Sequence, residues 1–311
     1  MRITILLVCA AAFVARAETG ADWPVYGGDL GNTHYSKLNQ INTGNVSKLV
    51  EAWTFDTKQP GAPNTSRQVE VTPLVVNGVM YLVTAYQSLV ALDAESGKPI
   101  WVFKHTHAGR PPRGVAYWPG DAGNPARILF GTADGFLLAV NAQNGKAIPG
   151  FGKEGEIDLK VGMNEKFPGH HYGLSAAPII YKNVAITGSH TQDSPGLGPK
   201  GDMRAWDART GKLLWTFHSV PRPGETGHET WLNDGWQDRS GTNAWTTSTI
   251  DLETGTLFAT FDSPSYDYYG GDRPGKNLFG NSLVALDAAT GKMQWYFQTI
   301  HHDIWDWDAP A

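Results

Sequence analysis

Apolar residues in this chain come in short runs that alternate with polar positions, and each run is closed by glycine, proline, asparagine or aspartate. Period-two alternation between turn residues predicts β-strands. Thr72–Val83 reads as two strands around Asn77-Gly78, a pair that accepts the positive φ of a tight hairpin. Ala177–Ile186 repeats the arrangement around Lys182-Asn183.

The strongest pattern is self-similarity. Ala91-Leu92-Asp93-Ala94-Glu95-Ser96-Gly97-Lys98-Pro99-Ile100-Trp101 returns at Ala205–Trp215 and at Ala285–Trp295, keeping Asp, Gly, Lys and Trp in place. A weaker copy, Ala139–Pro149, keeps Asn141, Gly145 and Lys146 but has Pro149 in place of the Trp. Asp251–Gly255 keeps only the turn. Each copy predicts strand, tight turn, strand. With the apolar hairpin ahead of it, a unit has about four antiparallel strands, the content of a propeller blade. The turn glycines 97, 145, 211 and 291 are 48, 66 and 80 residues apart. The longer steps therefore carry insertions: Gly150–His171, Gln192–Asp202 and Val220–Asn243. Glycine, proline and aromatics crowd these loops, and loops on a rigid scaffold are where function is sought. One irregular β-sandwich is the competing all-β arrangement. From Trp23 onward the chain predicts about four to five blades. A propeller protects its sheet edges by closing its ring, so the expectation is the N-terminal part of a longer protein, residues 18–311, inactive as an incomplete ring.

Composition narrows the class. With 41% hydrophobic and 18% charged residues the chain buries a large core and is not disordered. A net charge of −5 excludes the basic stripe of a nucleic-acid binder. Residues 1–17 read as a secretory signal: Arg2, an apolar run Ile3–Val14, and Ala15-Arg16-Ala17 for cleavage. That run is too short to span a bilayer comfortably, and there is no second apolar run of about twenty residues. Cys9, the only cysteine, lies in that leader, so residues 18–311 can form neither a disulfide nor a thiolate metal site. They also lack Cys-x-x-Cys-His, hence covalent haem.

The end of the chain, His301-His302-Asp303-Ile304-Trp305-Asp306-Trp307-Asp308, concentrates carboxylates, imidazoles and indoles. That mixture suits a hard cation or general base beside a flat ligand.

The Asp-x-x-x-Gly-Lys-x-x-Trp repeats, the His-Asp-x-Trp-Asp ending and the opening Asp22-Trp23-Pro24-Val25-Tyr26-Gly27-Gly28-Asp29 resemble the quinoprotein dehydrogenases. The resemblance implies an eight-bladed β-propeller binding pyrroloquinoline quinone (PQQ) and Ca2+, Mg2+ or a lanthanide on its axis. Arg113-Gly114-Val115-Ala116-Tyr117-Trp118 and His301-His302-Asp303 are most similar to the glucose/quinate dehydrogenase branch.

Motif matching then implies roles. Glu70 hydrogen-bonds PQQ; Arg113 contacts its carboxylate or carbonyl oxygens; Ser175 donates a hydroxyl to it; Trp245 is the indole beneath the ring. Some relatives have adjacent cysteines before the arginine, where this chain has Pro111-Pro112. Asp193 falls at a carboxylate metal ligand, Ser263 at the position of an asparagine ligand, and Asp308 at an additional ligand. Asp306 is implied as both ligand and catalytic base, with His302 either orienting it or the substrate or serving a structural role. The metal is implied as a Lewis acid while hydride passes to the quinone. The implied function is periplasmic oxidation of an aldose, alcohol or polyol, with ubiquinone or a cytochrome as acceptor. The alternative is a non-enzymatic propeller scaffold of the outer-membrane assembly type, which shares the turns but has no use for Arg113, Trp245 and Asp306 together.

Overall fold

The computed structural model describes residues 22–58 and 68–308. The expected leader, residues 1–17, lies outside the described residues. Strands β1 (Leu74–Val76), β2 (Val79–Thr84), β3 (Ser88–Asp93) and β4 (Pro99–Lys104) form an antiparallel sheet in chain order. So do β5 (Ala116–Trp118), β6 (Arg127–Gly131), β7 (Phe136–Asn141) and β8 (Glu156–Asp158). After β9 (Tyr172–Gly173), a third sheet contains β10 (Ile179–Tyr181) and β11 (Val184–Thr187). A short strand β12 (His190–Thr191) then leaves to pair with β9, and β13 (Met203–Asp207) and β14 (Leu213–Phe217) complete the sheet. The fourth comprises β15 (Thr249–Asp251), β16 (Thr256–Phe261), β17 (Ser282–Asp287) and β18 (Met293–Gln298). The chain is all-β, with four four-stranded sheets among the described residues rather than the two of a sandwich.

Successive sheets bury their faces against one another. Leu74, Val83 and Leu89 meet Ile128, Phe130 and Val140. Leu129 and Ala139 meet Ala185 and Trp206. Ile186, Met203 and Phe217 meet Leu257, Phe261 and Leu286. Each large apolar side chain fully buried this way contributes about 1.5–3 kcal/mol.

The repeat has a specific packing role. Asp93 Oδ1 accepts from the Ser96 N–H at 2.8 Å, and Gly97 follows with φ 68°. A methyl group on Gly97 would stand 2.4 Å from the Trp53 indole. Trp101 covers Gly145 and Trp215 covers Gly291 in the same way. Thus the tryptophan closing one unit seats on the turn glycine of the next. Where the second unit has Pro149, the next turn glycine, Gly211, is covered by Ile157 and the Gly152 backbone. The pairing register also slips at the same place in three units, after Ala91, Ala205 and Ala285. Among the described residues no helix is long and apolar enough to cross a membrane.

Candidate functional site

Glu70, Arg113, Ser175 and Trp245, far apart in sequence, line one cavity of about 810 Å³. Backbone bonds bring them together. The Arg113 N–H donates to the Ser175 carbonyl at 2.7 Å, and the Arg113 carbonyl accepts from Thr72 N–H at 2.8 Å. The guanidinium lies 3.0 Å from Glu70 Oε2 and 4.9 Å from the centre of the Trp245 ring. The Ser175 hydroxyl, expected to donate to a cofactor, donates to the Trp245 carbonyl at 2.5 Å. It therefore offers a ligand its lone pairs.

The rest of the wall was not singled out from sequence. Arg110, Pro111, Lys160, Asn164, His171 and His190 also face the cavity. For Lys160, Asn164 and His171 the available signal was the insertion 150–171, whose glycines, proline and aromatics mark it as a functional loop. Arg110, Arg113 and Lys160 outnumber the carboxylates Glu70 and Asp134 along the wall, and the Asn164 amide oxygen is buried without a hydrogen-bond partner.

A carboxylate cluster adjoins the cavity. Asp262, Asp306 and Asp308 each offer an oxygen within 4.8 Å of the others. Trp245 Nε1 donates to Asp262 Oδ2 at 2.9 Å. Burial pushes Asp262 up to about 7, and the charges of Asp308 and Asp306 add to that, opposed by the Ser263 N–H. Asp267 is pushed up to about 8 by burial, then by Asp193, Asp306 and Asp262. Asp308 is raised by burial and then by Asp306. Asp193 is raised by burial and then by Asp306. Tyr268 donates its hydroxyl to Asp306 Oδ2 at 3.1 Å. An oxygen-only set whose members repel one another is the donor chemistry of a hard cation site.

Asp303 organises the cluster. Its buried carboxylate accepts from Ser263 Oγ (2.6 Å), Asn281 Nδ2 (3.0 Å), Trp305 N–H (3.0 Å) and Trp307 N–H (2.9 Å). Burial alone would raise Asp303, but these bonds outweigh it and hold the carboxyl below its usual range. The clamp holds Asp306 and Asp308 at φ 57° and 34°, left-handed conformations that cost about 1–2 kcal/mol each.

The structure shows where three groups of these side chains point. The Ser263 hydroxyl donates to Asp303 at 2.6 Å, and it is the adjacent Asp262 whose carboxylate joins Asp306 and Asp308. His302 Nδ1 lies 2.9 Å from the Gly275 carbonyl and 3.1 Å from Asn277 Oδ1, so the ring braces that loop and is not bonded to Asp306. Trp305 and Trp307 point outward, 72% and 62% exposed, and do not line the cavity. Asp193 stands beside the trio, near enough to act on Asp306 electrostatically.

The chain is 34% identical to the quinate/shikimate dehydrogenase (quinone) of Acinetobacter baylyi, over 94% of this chain and 39% of that protein. It is 35% identical to the quinoprotein glucose dehydrogenase of Escherichia coli, over 93% of this chain and 38% of the relative. The crystal structure of quinohemoprotein alcohol dehydrogenase from Comamonas testosteroni superposes with a TM-score of 0.77 at 30% identity, covering 92% of this chain and 42% of that one. The chain thus spans about two fifths of the length of these relatives. Residues 23–311 match the PQQ glucose/ethanol/alcohol dehydrogenase β-propeller domain, and the chain belongs to that family.

Proposed function

We propose that this chain supplies the quinone- and metal-binding part of a periplasmic PQQ-dependent dehydrogenase that oxidises an aldose, polyol or other alcohol. The observation that carries the reading is one cavity holding Glu70, Arg113, Ser175 and Trp245, joined through Trp245 to the cluster of Asp262, Asp306 and Asp308. A non-catalytic scaffold would have no reason to assemble both. The relatives named as quinate/shikimate and glucose dehydrogenases favour a polyhydroxylated substrate. The four sheets are read as blades of an eight-bladed ring, four to five of which fall within this sequence.

The residues fit the cofactor. The three cations Arg110, Arg113 and Lys160 along the wall suit a tricarboxylated ligand, and the Trp245 indole offers a flat face for a planar one. PQQ, when bound, supplies a two-electron quinone acceptor, with a membrane quinone or cytochrome as the onward acceptor. Asp262, Asp308 and Asp193 would hold Ca2+ or Mg2+ by carboxylate oxygens; a lanthanide suits the same donors. Asp306 is the general base. Its carboxylate accepts from Tyr268 and is turned to the cluster by the Asp303 clamp, so it can take a substrate hydroxyl proton.

The test uses the intact gene product freed of metal. PQQ is titrated with and without Ca2+ while tryptophan fluorescence is followed; glucose and quinate are then added with an electron-accepting dye. Metal-dependent quenching with dye reduction supports the reading. Absence of quenching under every metal overturns it.

A further inference from the structure

We propose that His171 and His190 form a nitrogen-donor site for a borderline transition-metal ion such as Zn2+ or Cu2+, separate from the carboxylate cluster. His190 lies in β12 and His171 immediately precedes β9; in that strand pair His190 stands opposite Gly173 and Thr191 opposite Tyr172. Side chains two apart share a face of a strand, so His171 and His190 are diagonal neighbours on one face. His171 Nε2 lies 2.9 Å from His190 Nδ1, with the ring planes at 72°.

That distance suits two ligands of one ion. Metal–imidazole bonds of about 2.0–2.1 Å at right-angled to tetrahedral geometry put the nitrogens about 2.9–3.4 Å apart. A metal replaces the single proton the pair now shares, and each ring turns by about 35–45° so that its lone pair leaves the N···N line and points at the ion. Metal binding needs neutral imidazole. Burial, then the charges of His171 and Arg113, push His190 down to about 4, and burial also lowers His171. Both rings face the cavity that the quinone would occupy, so in protein freed of PQQ an ion has access and room for water as further ligands. Asp193 acts on His171 electrostatically and adds negative charge nearby. Nitrogen donors select against the hard ions that suit Asp262, Asp306 and Asp308, so the two sites are distinguishable by metal.

The intact protein, freed of PQQ, is stripped with a chelator and held in excess Ca2+. Zn2+ is titrated by calorimetry, and Cu2+ is added for electron paramagnetic resonance. The expected result is a site whose Cu2+ spectrum shows two imidazole nitrogens. His171→Ala and His190→Ala should each weaken Zn2+ binding roughly tenfold or more, while Asp308→Asn leaves it unchanged. His171→Gln, which keeps a polar side chain at an exposed position, gives the same loss if His190→Ala fails to fold. Unchanged Zn2+ affinity in the histidine variants overturns the proposal. So does a Cu2+ spectrum with oxygen donors only, or loss of Zn2+ binding in Asp308→Asn.

Discussion

The Trp245 indole N–H lies 2.9 Å from Asp262 Oδ2, so the flat wall of the cavity is also a hydrogen-bond donor to the carboxylate cluster. Ring and N–H have separable roles. Trp245→Phe keeps an aromatic face but withdraws a donor from a carboxylate, a bond worth about 1.5–3 kcal/mol. Asp262 should then hold its proton more tightly and the cluster should bind Ca2+ several-fold more weakly, with PQQ affinity falling less. Trp245→Ala removes the face as well and should weaken PQQ roughly tenfold or more. Equilibrium dialysis of each ligand separates the two effects.

Asp262 and Ser263 are adjacent, yet only the carboxylate faces the cluster. Asp262→Asn removes one of three charges and should weaken Ca2+ binding roughly tenfold or more, read by calorimetry. Ser263→Ala deletes one hydrogen bond to the Asp303 carboxylate, about 1.5–3 kcal/mol of stability, and should leave Ca2+ affinity within a few-fold. A tenfold loss in Ser263→Ala would restore the hydroxyl as a ligand.

The raised carboxyls make stability depend on pH in a definite direction. Asp262 at about 7 and Asp267 at about 8 bind protons more tightly in the folded chain than in the unfolded one, where an aspartate titrates near 3.8. The unfolded state therefore releases protons first as pH rises. Metal-free protein should be most stable below about pH 4 with respect to these groups, and lose that stability progressively up to about pH 8. Asp303 has the opposite sign: its stabilisation is present above the usual carboxylate range and is lost in acid. Melting temperatures measured from pH 5 to 8 should fall by several degrees without Ca2+. With Ca2+ saturating, the slope should flatten, because the ion replaces the protons. A metal-free curve flat across this range would contradict the burial of these groups.

Much of this was legible before folding. The strand–turn–strand units follow from alternation and from Asp-x-x-x-Gly-Lys-x-x-Trp, because turn chemistry and indole packing are local. Glu70, Arg113, Ser175 and Trp245 could be named because each sits in a recognisable motif, and the structure brings all four to one cavity. What was illegible depends on where a side chain points. Ser263 against Asp262 is a matter of one residue, decided by Asp303, which the sequence shows only as one more acid in a crowded tail. His302 is turned away by its bonds to the 275–277 loop. His171 and His190 meet only because β12 leaves its sheet to pair with β9, a pairing with no sequence signature.

The tryptophan-on-glycine contact explains why the repeat conserves its spacing within this chain, and it can be tested at Gly291. Two costs are present there. The glycine has φ 71°, which a residue with a Cβ resists, and a Cβ would come within 2.6 Å of the Trp215 indole. Gly78 isolates the first cost, with φ 75° and no atom within 4 Å of the same methyl position. Gly78→Ala should therefore cost about 1 kcal/mol from conformation alone. Gly291→Ala should cost distinctly more, about 2–4 kcal/mol, because the indole must move and unpack Ala288 and the third and fourth sheets behind it. Trp215→Ala in the Gly291→Ala background should recover the steric part, giving a non-additive double mutant. Denaturant unfolding of the three variants measures this directly; equal losses at Gly78 and Gly291 would show that the turn, rather than the packed tryptophan, is what the glycine serves.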